Sequence, residues 1–261
     1  MKYGFIGCGN MGSAIAKVLS RSTSDMLLSD RSGKAKILAE QLNCRYASAQ
    51  DIARECERIF LAVKPQGMAE VISQIAPILQ ERKPVIVTMA AGVEIQKIEQ
   101  MIGTKLPLIR IMPNTPVLIG CGTILYCCNE AVSQETLDDF LNDMKYCGLM
   151  DYIPERLIDA GSAVSGCGPA YAYMFIEALS DAAVSCGIPR DKSMTYAAAM
   201  MHGAAQMVLH TGQHPGVLKD AVCSPGGSTI AGVKVLEEEG FRGAVMDAII
   251  TAYHRTQELG K

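Results

Sequence analysis

The stretch AVCSPGGST, Ala221 to Thr229, places Ser224, Pro225, Gly226 and Gly227 directly ahead of IAGVKVLEEEGF, which reads as a helix. Ser224 suits an N-cap and Pro225 the first helical position, while Gly226 and Gly227 leave backbone N–H groups unobstructed by side chains. The first N–H groups of a helix lack intrahelical partners and lie at the positive end of its dipole, so the pattern describes a seat for a small anion such as a carboxylate. Ser228 and Thr229 continue the stretch, and the Thr229 hydroxyl can reach a heteroatom next to that anion. The plain alternative is a turn made for tight packing.

A second constellation opens the chain. KYGFI reads as a strand, Gly7-Cys8-Gly9-Asn10-Met11-Gly12 follows, and a helix begins at about Met11. Gly7 permits the tight turn, Gly9 lets the backbone approach a pyrophosphate, and Gly12 lets the helix pack on the strand, which together describe a dinucleotide site. At the end of MLLSD, Asp30 suits the ribose diol of NAD, whereas Arg31 and Ser32 suit the extra phosphate of NADP. With Lys34 they form a cluster of donors. This favours NADP(H) over NAD(H), with Asp30 turned away or salt-bridged. AVKPQG, with Ala62, Val63, Lys64 and Pro65, and MAAGV, with Ala90, follow further strands and should face the nicotinamide half. Lys64 contacts the nicotinamide ribose on this reading, or else only completes a turn. Asn114, in the two-proline loop RIMPNTP, can orient the carboxamide or ribose or satisfy its own backbone. A strong general acid or base is missing from the second half: its lysines lie in charged surroundings, and His202 sits among Ala and Met.

The elements that must position these residues follow from hydrophobic patterning. Nearly continuous apolar strands (YGFI, MLLSD, RIFLAV, PVIVTM, PLIRIM) alternate with amphipathic helices, the mark of a mostly parallel, doubly wound sheet of Rossmann type. GCGTILYCC and GLMDYI, flanking a helix from about Ser133, extend that sheet. Residues 1–153 are therefore expected to form the dinucleotide-binding domain, with Pro154 at the boundary. Residues 154–261 read as all helix, punctuated by GCGP, GIPRD, TGQHPG, SPGGS and EGFRG. AYAYMFIEALSDAAVSC and MTYAAAMMHGAAQMVL are apolar around nearly their whole circumference, so they need neighbours on most sides. The expectation is a substrate-binding and dimerisation domain whose helices pack against those of a second copy.

Composition excludes several classes. The chain has 261 residues, 49% hydrophobic and 20% charged, a globular composition without an apolar run long enough for a membrane span. Only MK precedes the first strand-like run, so a cytoplasmic location is expected. A net charge of −3 gives no electrostatic reason to bind nucleic acid. The ten cysteines form no C-x-x-C pair and the four histidines show no zinc-ligand spacing with them, so no metal is expected and most cysteines should be reduced core residues.

GFIGCGNMG, AVKP, AAGV, RIMPNTP, AVSGCGPAYAY, QHPGVLKDAVCSPGGSTIAGVKVLEEEGFRGAVMDAI and the terminal A-x-x-R-T-x-E occur in an order that resembles the pyrroline-5-carboxylate reductases, over essentially the whole chain. The resemblance implies NAD(P)H-dependent reduction of a cyclic imine to L-proline. It implies that Ser224, Gly227, Ser228 and Thr229 lie at the substrate, with backbone N–H groups on the carboxylate and the Thr229 hydroxyl near the ring nitrogen. It also implies interlocked dimers, extended in many members to decamers. Cys8, Cys167 and Cys223 depart from the small residues expected at those motif positions. A reductase of a six-membered imine fits the same residues. A β-hydroxyacid dehydrogenase fits poorly, because no lysine follows Gly166 and Gly168, and a non-catalytic NADP sensor would need no anion seat.

Overall fold

The computed structural model describes residues 2–259. In chain order the first part runs β1 (Tyr3–Ile6), α1 (Asn10–Leu19), β2 (Met26–Ser29), α2 (Lys34–Gln41), β3 (Arg45–Tyr46), α3 (Ala49–Glu55), β4 (Arg58–Leu61), α4 (Pro65–Arg82), β5 (Val85–Thr88), α5 (Ile95–Ile102), β6 (Leu108–Met112), β7 (Gly122–Cys128), α6 (Gln134–Asp143), β8 (Gly148–Tyr152) and α7 (Glu155–Ser165). The strands form one eight-stranded sheet, ordered β3-β2-β1-β4-β5-β6-β7-β8, in which β6 and β7 are antiparallel and every other pair is parallel. The order reverses between β1 and β4, which makes the carboxyl ends of those strands the natural ligand crevice.

Alternating residues of each strand feed two cores, one on either face. Ile6, Ile59, Leu61, Ile86, Leu108 and Leu125 meet helices α3, α4, α5 and α7. Phe5, Leu28, Phe60, Val87, Ile109 and Ile124 meet α1, α2 and α6 on the other side. The continuous apolar strands of the sequence are thus covered on both faces, as expected. Two arginines interrupt them. Arg58, fully buried at the start of β4, donates to the Tyr3 hydroxyl (2.6 Å), to Asp143 (3.1 Å) and to the Thr136 carbonyl (3.1 Å), tying α6 to the parallel half. Arg110, on β6, pairs with Glu155 (3.2 Å) and Asp159 (2.7 Å) of α7.

These ties move the boundary between units. By packing, one unit extends to Cys167 and regains the chain from Thr251 onward, and the other is Gly168–Ile250. The sequence boundary at Pro154 falls earlier because α7, though the first helix of the helical half, is held to the sheet. Besides the Arg110 pairs, Gly161 approaches β7 so closely that an added Cβ would lie 2.3 Å from Leu125.

The second unit contains α8 (Gly168–Ser185), α9 (Arg190–Thr211), α10 (Pro215–Ala221), α11 (Ser228–Glu238) and most of α12 (Phe241–Leu259). Helices α8 and α9 form a hairpin whose tight end holds Ser180 and Ser193 hydroxyls 2.8 Å apart. Only Ser180, Ser193 and Ala197 are buried within Gly168–Ile250. Met174, Leu209, Met246 and Ile250 are at least half exposed. A helical unit with no apolar core of its own requires other surface to cover it.

Candidate active site

The turn after β1 is shaped by steric necessity. Gly7 has φ +107, and an added Cβ would lie 2.5 Å from the Ala62 carbonyl oxygen at the end of β4. At Gly12 the Cβ would lie 2.2 Å from the Gly7 carbonyl oxygen, so only glycine lets α1 pack this closely. Gly9 differs: nothing lies within 4 Å of where its Cβ would be. It is also the N-cap of α1 and supplies no side-chain cap, which leaves the N–H groups of Asn10, Met11 and Gly12 without intrahelical acceptors. Open space beside free donors at a helix start fits a pyrophosphate.

Two clefts meet here. The first, 660 Å³, is lined by Gly7, Cys8, Gly9, Asp30, Arg31, Ser32, Ala62, Val63 and Lys64, together with Ser48–Gln50 and the α4 residues Gly67, Val71 and Gln74. The second, 530 Å³, shares Gly9, Ala62, Val63 and Lys64 and continues along Asn10, Met11, Gly12, Lys34, Pro65 and Ala90. The pair crosses the carboxyl ends of β2, β1, β4 and β5, with the free N–H groups of α1 between the two halves. The first cleft suits an adenosine and the second a nicotinamide riboside. Lys64, N-cap of α4 ahead of Pro65, is exposed at their shared rim and has no ion-pair partner among the described residues.

Several side chains differ from their expected roles. Asp30 is neither turned away nor salt-bridged: it lines the first cleft, accepting from the Ser32 hydroxyl (2.6 Å) and the Gly33 N–H (3.0 Å). Arg31 pairs with Glu70 at 2.6 Å. Cys8 contributes backbone alone, because its thiol points inward toward the Ser29 carbonyl and burial pushes it up to about 12. Asn114 lines neither cleft. Its amide donates to the Ser165 carbonyl (2.9 Å) and accepts from the Thr123 N–H (2.9 Å), so its side chain braces the loop against α7 and β7. Sequence reasoning missed Ser48–Gln50. The capping pair Ser48 and Asp51, whose hydroxyl and carboxylate are 2.6 Å apart, could have revealed the α3 start.

In the helical unit the anion seat begins later than expected. Gly226 has φ +69, and the Gly227 N–H donates to the Ser224 carbonyl at 3.0 Å, so Ser224 to Gly227 close a type II turn with Pro225 and Gly226 at its corners. The N-cap is therefore Gly227, not Ser224, and Ser228 and Thr229 occupy the first helical positions. A glycine N-cap leaves the N–H groups of Ser228, Thr229 and Ile230 without intrahelical or side-chain acceptors. Ser224, Ser228 and Thr229 are exposed, and the Thr229 hydroxyl has no hydrogen-bond partner among the described residues. Gly226 and Gly227 also border a 520 Å³ groove with Lys219, Ile230, Ala231 and Lys234. Among the described residues no cluster of His, Cys, Asp or Glu could hold a metal ion, and no helix is long and apolar enough to cross a membrane.

A Rossmann unit with a pyrophosphate turn, joined to a helical unit carrying an anion seat, defines an NAD(P)-binding oxidoreductase. Family comparison narrows the class. The family described as pyrroline-5-carboxylate reductase dimerisation matches residues 155–259, and that described as NADP oxidoreductase, coenzyme F420-dependent, matches residues 2–92. The chain is 42% identical to the pyrroline-5-carboxylate reductase of Escherichia coli over its whole length and 98% of that protein. Among solved structures it resembles the Streptococcus pyogenes 1-pyrroline-5-carboxylate reductase (TM-score 0.91, 35% identity, 99% of this chain and 98% of that one). It also resembles the Plasmodium falciparum pyrroline carboxylate reductase with NADP bound (TM-score 0.89, 33% identity, 100% and 98%). The chain belongs to the pyrroline-5-carboxylate reductase family.

Proposed function

We propose that the protein reduces 1-pyrroline-5-carboxylate to L-proline, taking one hydride from NAD(P)H and one proton from the medium. The observation that carries this reading is the start of α11, where three backbone N–H groups and a free threonine hydroxyl are exposed beyond a Pro-Gly turn. The Ser228, Thr229 and Ile230 amides hold the substrate carboxylate, and the adjoining Ser224, Gly226 and Gly227 shape the turn that presents them. The Thr229 hydroxyl accepts from the protonated ring nitrogen. An imine nitrogen carries that proton near neutral pH, so the reaction needs orientation and charge placement more than a strong acid, in keeping with a site that offers none. The nicotinamide supplies the hydride when bound. Gly9 and the α1 amides hold its pyrophosphate, and Lys64 reaches its ribose.

NADPH is the favoured carrier, because Arg31 and Ser32 line the adenosine cleft. The enzyme works in the cytoplasm as a homodimer built through the region beyond residue 154, extended to a decamer, which covers the apolar surface of a helical unit that lacks its own core.

The test follows NADPH and NADH oxidation with pyrroline-5-carboxylate and its six-membered analogue in parallel, in wild type, Thr229→Ala and Thr229→Val. Loss of one hydrogen bond to a charged nitrogen corresponds to roughly 10- to 100-fold in turnover. Wild-type oxidation of neither carrier with the five-membered imine defeats the proposal. Unchanged turnover in both variants removes Thr229 from the reaction.

A further inference from the structure

The mouth of the adenosine cleft contains an arrangement the reduction itself does not require. Arg31, from the loop after β2, reaches Glu70 on α4, an ion pair of 2.6 Å between side chains 64% and 58% exposed. Arg31 lines the cleft on one side, and Gly67 and Val71, the α4 neighbours of Glu70, line it on the other. Next to Arg31, the Ser32 hydroxyl and the Gly33 N–H both bind Asp30. The Arg31 guanidinium, the Ser32 hydroxyl and the Gly33 N–H are thus each already engaged by a carboxylate. Asp30, held in place by two donors, keeps lone pairs free to accept from a ribose 2′-hydroxyl.

We propose that Glu70 is a specificity-determining residue that sets the margin between NADPH and NADH by competing with the 2′-phosphate for Arg31. The inference rests on the NAD(P)H reading of the cleft. A guanidinium presents five donors, so Arg31 can serve both partners, but then a dianionic phosphate and a carboxylate share one cation. Their repulsion weakens the phosphorylated cofactor and leaves the diol cofactor untouched. The pair is exposed, so the penalty is modest and falls as salt screens it.

The experiment measures binding of 2′,5′-ADP and 5′-AMP by calorimetry to the full-length protein, which reads the cleft without turnover, alongside kcat/KM for NADPH and NADH. Glu70→Gln should tighten 2′,5′-ADP about five-fold and leave 5′-AMP unchanged, with the gain shrinking at high salt. Glu70→Asp, which retains the charge, should behave as wild type. In an Arg31→Ala background the effect of Glu70→Gln on 2′,5′-ADP should fall by at least half. An unchanged 2′,5′-ADP affinity, equal tightening of both ligands, or persistence of more than half of the effect without Arg31 overturns the proposal. If wild type binds neither nucleotide, the cleft reading itself fails; if it binds both but reduces no imine, only the activity fails.

Discussion

Gly9 and Gly12 are three residues apart in one motif, yet the structure assigns alanine opposite consequences at the two positions. At Gly12 a methyl would sit 2.2 Å from the Gly7 carbonyl oxygen and 3.0 Å from the Ala62 Cβ, against an ordinary contact of 3.4–4 Å. The obstacle is backbone, so α1 must retreat by roughly 1 Å, a strain of the kind that costs about 1–3 kcal/mol. At Gly9 the backbone angles, φ −70 and ψ −169, suit alanine, and the methyl meets nothing within 4 Å. Its only effect on folding is the difference between alanine and glycine as an N-cap, offset by the lower chain entropy of alanine, which leaves stability within about 1 kcal/mol of wild type. On the proposed function, however, the space it fills is that of the pyrophosphate. Displacing the phosphates from one charge-assisted hydrogen bond corresponds to about 1.5–3 kcal/mol, or roughly 10- to 100-fold in NADPH affinity. Urea unfolding paired with NADPH fluorescence titration separates the outcomes: Gly12→Ala should lose stability and binding together, and Gly9→Ala binding alone. Wild-type NADPH affinity in Gly9→Ala refutes the placement of the pyrophosphate.

Two further predictions concern what holds the site in place. Arg110→Met removes the buried cation that serves Glu155 and Asp159 and should destabilise the protein by about 3 kcal/mol in urea unfolding, at the low end of such losses because both carboxylates retain contact with water. Adding Glu155→Gln and Asp159→Asn should restore part of that loss, since no unpaired charge is then left behind. Burial pushes the thiols of Cys8, Cys56, Cys127 and Cys147 up to about 12 from an ordinary 9.0. The folded state therefore holds protons that the unfolded chain releases above pH 9, and stability should decline as pH rises from about 9 toward 12. Urea midpoints at pH 8 and pH 10 check the decline, and iodoacetamide at pH 8 should spare these four cysteines until the chain is unfolded.

The parts legible in the sequence are those governed by neighbouring residues. Gly7, Gly9 and Gly12 could be read because a strand, a turn and a helix start follow one another without a gap, and the apolar runs of β1, β4 and β6 could be read because both their faces are buried. The two-residue β3 and the short α3 are hard to read from sequence: Arg45–Tyr46 offers no hydrophobic period, and the Ser48 cap is the main local signal for α3. The start of α11 lies three residues later than the sequence pattern places it. Whether Ser224 or Gly227 caps α11 depends on the positive φ of Gly226 and the turn it closes, and Pro-Gly-Gly is compatible with either.

The sequence by itself determined the class of fold and picked out the two glycine-bearing turns on which the proposed cofactor and substrate sites rest, because local spacing and backbone freedom suffice for each. Tertiary structure decided which groups remain available. Asn114 is engaged by Ser165 and Thr123, Cys8 is turned into the core, and Arg31 is held by Glu70. It also decided that α7 packs with the sheet and that the remaining helices bury almost nothing by themselves. A donor's availability depends on partners brought near by the folded sheet, and their distance along the chain carries no such information.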